Sequence, residues 1–175
     1  MRALLALILL LPIMGRAEGA REIIGGSLTY HIFNINGSDE RYSNKLSNDG
    51  RLIDNALLGY RDVEIKGVSY TAITYFTGTN SVAEPIFGAA YSAGYAYDDY
   101  RVGIIAGAYM QDNNKFFERN LTPVMIIPSN GWAPSPVIGI ETSKIVNISD
   151  KTYFLMNMIF TPTLINGTVG VGFKY

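Results

Sequence analysis

The sequence predicts an all-β protein: an eight-stranded antiparallel transmembrane β-barrel of the bacterial outer membrane. Three observations predict it. After residue 25 the chain falls into segments of about ten residues, the length a tilted strand needs to cross a bilayer. The links between those segments alternate between tight turns and longer stretches, as periplasmic turns and extracellular loops do in such barrels. One segment, 85–97, alternates strictly: Phe87, Ala89, Tyr91, Ala93, Tyr95 and Tyr97 on one face, Gly88, Ala90, Ser92, Gly94 and Ala96 on the other. A bulky outward stripe over a nearly bare inward one suits a barrel with space inside it.

The first seventeen residues stand apart. Met1 and Arg2 precede an apolar run of roughly a dozen residues, within the range of a signal peptide and short of the roughly 20 that a membrane helix needs. Gly15-Arg16-Ala17 places small residues at the positions a signal peptidase reads, so cleavage is expected after Ala17. The remainder, 18–175, is roughly 158 residues, enough for a single barrel domain.

Strands are expected at 26–35, 55–65, 68–77, 85–97, 100–111, 135–146, 151–161 and 167–175. The even-numbered links are Lys66-Gly67, Asp98-Asp99 and 147–150, all good turn chemistry. The odd-numbered ones, 36–54, 78–84, 112–134 and 162–166, are long or irregular. The last strand sets Val169, Val171, Phe173 and Tyr175 on one face. Its terminal Tyr175 is expected to act as the signal read by the outer-membrane assembly machinery.

Composition excludes several functions. The formal charge is -1, with 14 Lys+Arg against 15 Asp+Glu, so no basic surface points to nucleic acid. There is no cysteine and one histidine, which rules out thiol chemistry and multi-histidine metal sites. No cofactor is expected. Asp98-Asp99 and Asp112-Asn113-Asn114 read as turn residues rather than metal ligands.

The interior is less plain. In 151–161, Tyr153, Leu155 and Ile159 share one face and Phe154, Met156, Met158 and Phe160 the other, so one apolar set must face inward. In 100–111, Val102, Ile104, Ala106, Ala108 and Met110 suit lipid, leaving Arg101, Gly103, Ile105, Gly107 and Tyr109 inside. With Gly88, Ala90, Ser92 and Gly94 this gives a glycine-lined void that fits a hydrocarbon chain, with Gly103 and Gly107 on its wall. The other reading is that Met and Phe side chains fill it.

His31 and Ser81 are the candidate reactive pair. A hydroxyl needs a base, and imidazole is the usual one. His31 lies in the outer half of the first strand and Ser81 in the third-to-fourth link, so this topology puts both at the extracellular rim.

Leu28-Thr29-Tyr30-His31-Ile32-Phe33 with Glu40-Arg41-Tyr42, Asn80-Ser81 with Glu84-Pro85-Ile86 and Gly88, and Ala106-Gly107, Asp112-Asn113 and Thr122-Pro123-Val124-Met125-Ile126-Ile127-Pro128 keep their order. Together they resemble the PagP-like outer-membrane lipid A palmitoyltransferase family. The resemblance implies a monomeric barrel that takes a palmitoyl chain from a glycerophospholipid donor and places it on lipid A. It makes His31, Ser81 and Asn80 the catalytic residues. It also implies lateral lipid entry where prolines interrupt strand pairing, and Pro123, Pro128, Pro134 and Pro136 cluster about the sixth strand.

Two features depart from that family. Asn80 stands where the family has Asp, and an amide cannot hold an imidazolium by charge. Residues 18–25, broken by Gly19 and Gly25, leave hardly two turns for the family's long amphipathic helix, which is missing or rudimentary. A non-enzymatic surface barrel serving adhesion, serum resistance or structure, and a lipid A deacylase, are the alternative functions.

Overall fold

The computed structural model describes residues 19–32, 52–80, 85–112 and 131–175, and the side chains of Ile53 and Asp112 are not described. The signal segment, the stretches 33–51 and 113–130, and residues 81–84 with Ser81 lie outside the described residues. Eight strands run β1 (Gly19–His31), β2 (Leu52–Lys66), β3 (Ser69–Thr79), β4 (Pro85–Tyr97), β5 (Tyr100–Asp112), β6 (Trp132–Asn147), β7 (Thr152–Phe160) and β8 (Leu164–Lys174). Each pairs antiparallel with its neighbours in chain order, and β8 pairs with β1 to close the barrel. Thirteen-residue strands such as β4, rising ~3.3 Å per residue at a tilt of ~40°, climb roughly 30 Å, one hydrocarbon thickness.

Period-two patterning decides the faces. On β4 the stripe Phe87, Tyr91, Tyr95 and Tyr97 is exposed, Tyr97 at 73%, while Ala90 and Ser92 are buried. On β5, Ile104 is 67% exposed and its neighbour Ile105 is 4%. Exposed apolar and aromatic side chains recur on every strand, among them Ile23, Leu58, Ile73, Ile138, Met156 and Val169. So large an apolar exterior suits a chain solvated by lipid. Tyr95, Tyr97 and Tyr100 gather towards the end that carries the tight turns, and Phe87 meets Trp132 near the other end with ring centroids 5.3 Å apart. These are the aromatic girdles of a membrane barrel.

The first strand differs from the expectation. It begins at Gly19, and residues 19–25, read from sequence as a segment preceding the barrel, form its first half, paired with 58–64 of β2 and 169–174 of β8. Gly26, with φ +64°, lies inside a register shift, a β-bulge. The bulge inverts the alternation: Glu22 and Ile24 face inward before it, Ser27 and Thr29 after it. A glycine pair that looks like a break from sequence is therefore a change of phase within one strand.

The β7–β8 link also differs. It spans only 161–163, tied by the Thr161 N–H and hydroxyl to the Leu164 carbonyl at 2.9 and 3.1 Å. Leu164, Ile165 and Asn166, expected in the link, belong to β8. Ile32 donates to the Thr163 carbonyl at 3.0 Å and carries the β1–β8 seam past the last ladder pair.

Candidate functional site

The barrel interior is the place to look for a site, and six strands place charged or phenolic groups there. Glu22 comes from β1, Arg61 from β2, Tyr70 from β3, Arg101 from β5, Glu141 from β6 and Tyr153 from β7. All are almost wholly buried, Arg61 at 1% and Glu22 at 0% exposure. Arg61 Nη1 lies 2.5 Å from Glu141 Oε1 and 3.7 Å from Glu22 Oε2. Arg101 Nη1 donates to Glu22 Oε1, and its Nη2 lies 3.1 Å from the Tyr153 hydroxyl. That hydroxyl donates to the same Glu22 oxygen.

Two arginines and two glutamates cancel in charge, as buried ions must. The Tyr70 ring lies beside both guanidinium groups, 6.0 Å from each. The Asn157 amide, turned so that its nitrogen faces them, reaches Ser143 Oγ at 2.8 Å and Glu141 Oε1 at 3.0 Å. Towards the loop end the lining becomes uncharged. There Asn166 donates to Ser27 Oγ at 2.6 Å and Thr29 Oγ1 at 2.8 Å.

Gly88, Ala90, Ser92, Gly94, Gly103 and Gly107 all lie on inward faces of β4 and β5, as their alternation predicts. What they meet is protein. A Cβ on Gly94 would strike the Val102 carbonyl oxygen, one on Gly107 the Ala89 carbonyl oxygen and one on Gly88 the Ala108 carbonyl oxygen. One on Gly103 would strike the Ala93 carbonyl oxygen and approach the Tyr70 hydroxyl to 2.8 Å. Gly94 and Gly103 are ladder partners, as are Ala90 and Gly107, so small residues let this wall curve tightly where the sheet turns inward. Tyr70, Tyr153, Leu155 and the four ions occupy the core of the barrel. Met156, Met158 and Phe160 point outward.

His31 and Asn80 are both at the loop end. His31 ends β1, where it pairs with Leu164 of β8, and Asn80 follows β3. Asn80 donates to Gln111 Oε1 of β5, past the intervening β4, at 3.4 Å. Its carbonyl accepts from the Asn55 amide at 3.3 Å once that amide is turned to accept from Thr29. Along β2, His31 lies beyond the level of Leu52, the partner of Tyr30, whereas Asn80 sits near Ala56, whose N–H donates to Thr79 Oγ1. The two share a rim at different heights. Ser81 lies outside the described residues, so its distance from His31 is not defined. Among the described residues no group of three His, Asp or Glu side chains is placed to hold a metal ion.

The sixth strand does carry a break in pairing. Its ladder to β5 covers 132–144, but its ladder to β7 covers only 140–147, beginning at Ile140↔Phe160. Pro134 and Pro136 fall in the half beside which β7 is absent. Proline there withholds N–H groups that a neighbouring strand would need.

No family model matches this sequence, and no curated protein matches it. Among solved structures, the chain is similar to Neisserial surface protein A, with 11% identity over 91% of this chain and 98% of that one, at a TM-score of 0.51. It is also similar to Ail, the attachment invasion locus protein of Yersinia pestis, with 11% identity, 91% and 100% coverage and a TM-score of 0.45. The N-terminal barrel of Pseudomonas aeruginosa OprF aligns with 13% identity, 90% and 99% coverage and a TM-score of 0.40. At these identities the likeness speaks to fold. The chain is a closed eight-stranded barrel of the outer-membrane kind, integral to the membrane through its apolar exterior.

Proposed function

We propose that this chain is a non-enzymatic outer-membrane barrel whose function, adhesion or serum resistance, resides in the segments 33–51, 81–84 and 113–130 that connect its strands at one rim. The observation that carries this reading is the interior. Four buried ions and two buried tyrosines lie in the middle and tight-turn half of the interior, and burying an alkyl chain against so polar a cluster is costly. A rigid cylinder with long connections at one end is suited to presenting those connections.

Lipid A and surface attachment test it together. In cells producing the protein, lipid A should keep its mass whether position 81 is Ser or the Ser81→Ala variant. Replacing 33–51 and 113–130 by short Gly-Ser linkers should abolish attachment or serum survival while the folded barrel is retained on an unheated gel. An added acyl chain on lipid A that vanishes in Ser81→Ala would overturn the proposal.

That outcome would favour the PagP-like acyltransferase reading, with a phospholipid donor and lipid A as acceptor. The β6 wall is the observation on its side, because a lipid could pass the half of β6 that carries Pro134 and Pro136.

A further inference from the structure

The burial of inward side chains changes along the barrel axis. At the loop end Asn55, Tyr109 and Asn166 face inward and are only half-buried. In the middle Glu22, Arg61, Tyr70, Arg101, Glu141 and Tyr153 are each 2% exposed or less. At the tight-turn end a cavity of about 310 Å³ opens, lined by Ala20, Ile65 and Ile145 and bounded towards the middle by Arg101 and Tyr153. Water therefore reaches the lumen from both ends and stops at the same group of side chains.

The connectivity of that group is the second observation. Arg61 of β2 pairs with Glu141 of β6 at 2.5 Å, and Arg101 of β5 pairs with Glu22 of β1. In a closed ring of eight strands, β2 and β6 stand opposite each other, and so do β1 and β5. Each ion pair is thus a strut along a diameter, and Tyr70 of β3 and Tyr153 of β7 reach inward along a third. The remaining opposed strands, β4 and β8, present glycine at this level. A Cβ on Gly172 of β8 would strike the Tyr153 ring. One on Gly103, the ladder partner of Gly94 of β4, would lie 2.8 Å from the Tyr70 hydroxyl. The cluster packs against the wall even where the wall is bare. An eight-stranded barrel is just wide enough for side chains to fill, so struts of this kind can close it.

We propose that the ion cluster is a plug: the lumen consists of two water-filled blind ends, and the crossed ion pairs alone keep them from joining into a channel for small hydrophilic solutes. A solute passing the middle would have to part a buried, charge-balanced pair, which exposes each ion without its partner.

The chain has no cysteine, so an introduced one is its sole thiol. In vesicles carrying the barrel with its loop end outward, a charged, membrane-impermeant thiol reagent should modify Asn166→Cys when added outside and not when trapped inside. Ile65→Cys should show the reverse. The native barrel should hold a potassium gradient. Arg61→Ser with Glu141→Ser removes one strut and keeps the charge balanced, and this double variant, with folding checked by gel mobility, should dissipate the gradient. Modification of either cysteine from both sides or from neither would overturn the proposal, as would a leak through the native barrel or a folded double variant as tight as the native one. If the double variant fails to fold, the sided modification of the two cysteine variants still decides.

Discussion

Replacing Glu141 by Gln tests how much the ion cluster holds the barrel together. Glu141 is the near partner of Arg61, at 2.5 Å, and the next carboxylate is Glu22 at 3.7 Å, already bound by Arg101. The substitution keeps the shape and removes one charge, so a balanced cluster of two positive and two negative ions becomes net positive by one, buried among side chains that cannot hydrate it. At an effective dielectric near 20, two charges ~4 Å apart attract by about 4 kcal/mol. Breaking a buried pair by removing one member typically costs about 3–5 kcal/mol. The same range is expected here, a fall of at least a hundredfold in the folding equilibrium.

Replacing both members, Arg61→Met with Glu141→Leu, removes the uncompensated charge and should recover most of the loss. Reversible urea unfolding in lipid vesicles measures it, with Trp132, the only tryptophan in the chain, as the fluorescent reporter at the opposite end from the tight turns. A loss below about 1 kcal/mol in Glu141→Gln, the range of an exposed pair, would refute the view that the cluster is dry and tightly coupled.

Other substitutions probe other parts of the molecule. Gly94→Ala drives a Cβ into the Val102 carbonyl and should cost about 2 kcal/mol or more in the same unfolding assay, whereas Gly25→Ala, whose Cβ would lie 3.8 Å from the nearest atom, should be well tolerated. Tyr175→Phe removes the 3.0 Å hydrogen bond to Asp62 while leaving the ring near Arg21, and should cost about 0.5–1.5 kcal/mol. Ser143→Ala removes the 2.8 Å hydrogen bond to the buried Asn157 amide, which keeps Glu141 and the Thr142 carbonyl as acceptors, and should destabilise by about 0.5–1.5 kcal/mol.

The barrel was legible because its signal is repetitive. Strand period, turn chemistry at Lys66-Gly67 and Asp98-Asp99, and the aromatic stripe of β4 each state the same architecture, and the inward set of β5 follows from its outward set. The ion cluster was less legible. Arg101 could be assigned to the interior from phase alone. Arg61 and Glu141 occupy the inward phase of β2 and β6 in the same way, and tracing that phase along those strands would have placed them. Glu22 was hidden by Gly25 and Gly26: read as a break, they cut it off from the barrel, whereas a bulge keeps it in β1 with its phase reversed.

The meaning of the small residues was the other difficulty. Gly88, Gly94, Gly103 and Gly107 signal close approach, but sequence does not say whether a ligand, another side chain or backbone does the approaching. Here it is backbone across the β4–β5 ladder and the Tyr70 side chain. For His31 and Asn80 the shared rim was readable from strand direction, while their difference in height depends on register, which the sequence leaves open.

The most direct test of the central claim, an interior closed to hydrocarbon behind a lipid-facing wall, compares two adjacent residues of β5. In nanodiscs made with protonated lipid and methyl-labelled, otherwise deuterated protein, acyl-chain protons should show cross-relaxation to the Ile104 methyl groups, 67% exposed, and none to Ile105, 4% exposed. Acyl-chain contacts to Ile105, Ala90 or Leu155 would place a hydrocarbon chain inside the barrel and contradict the account.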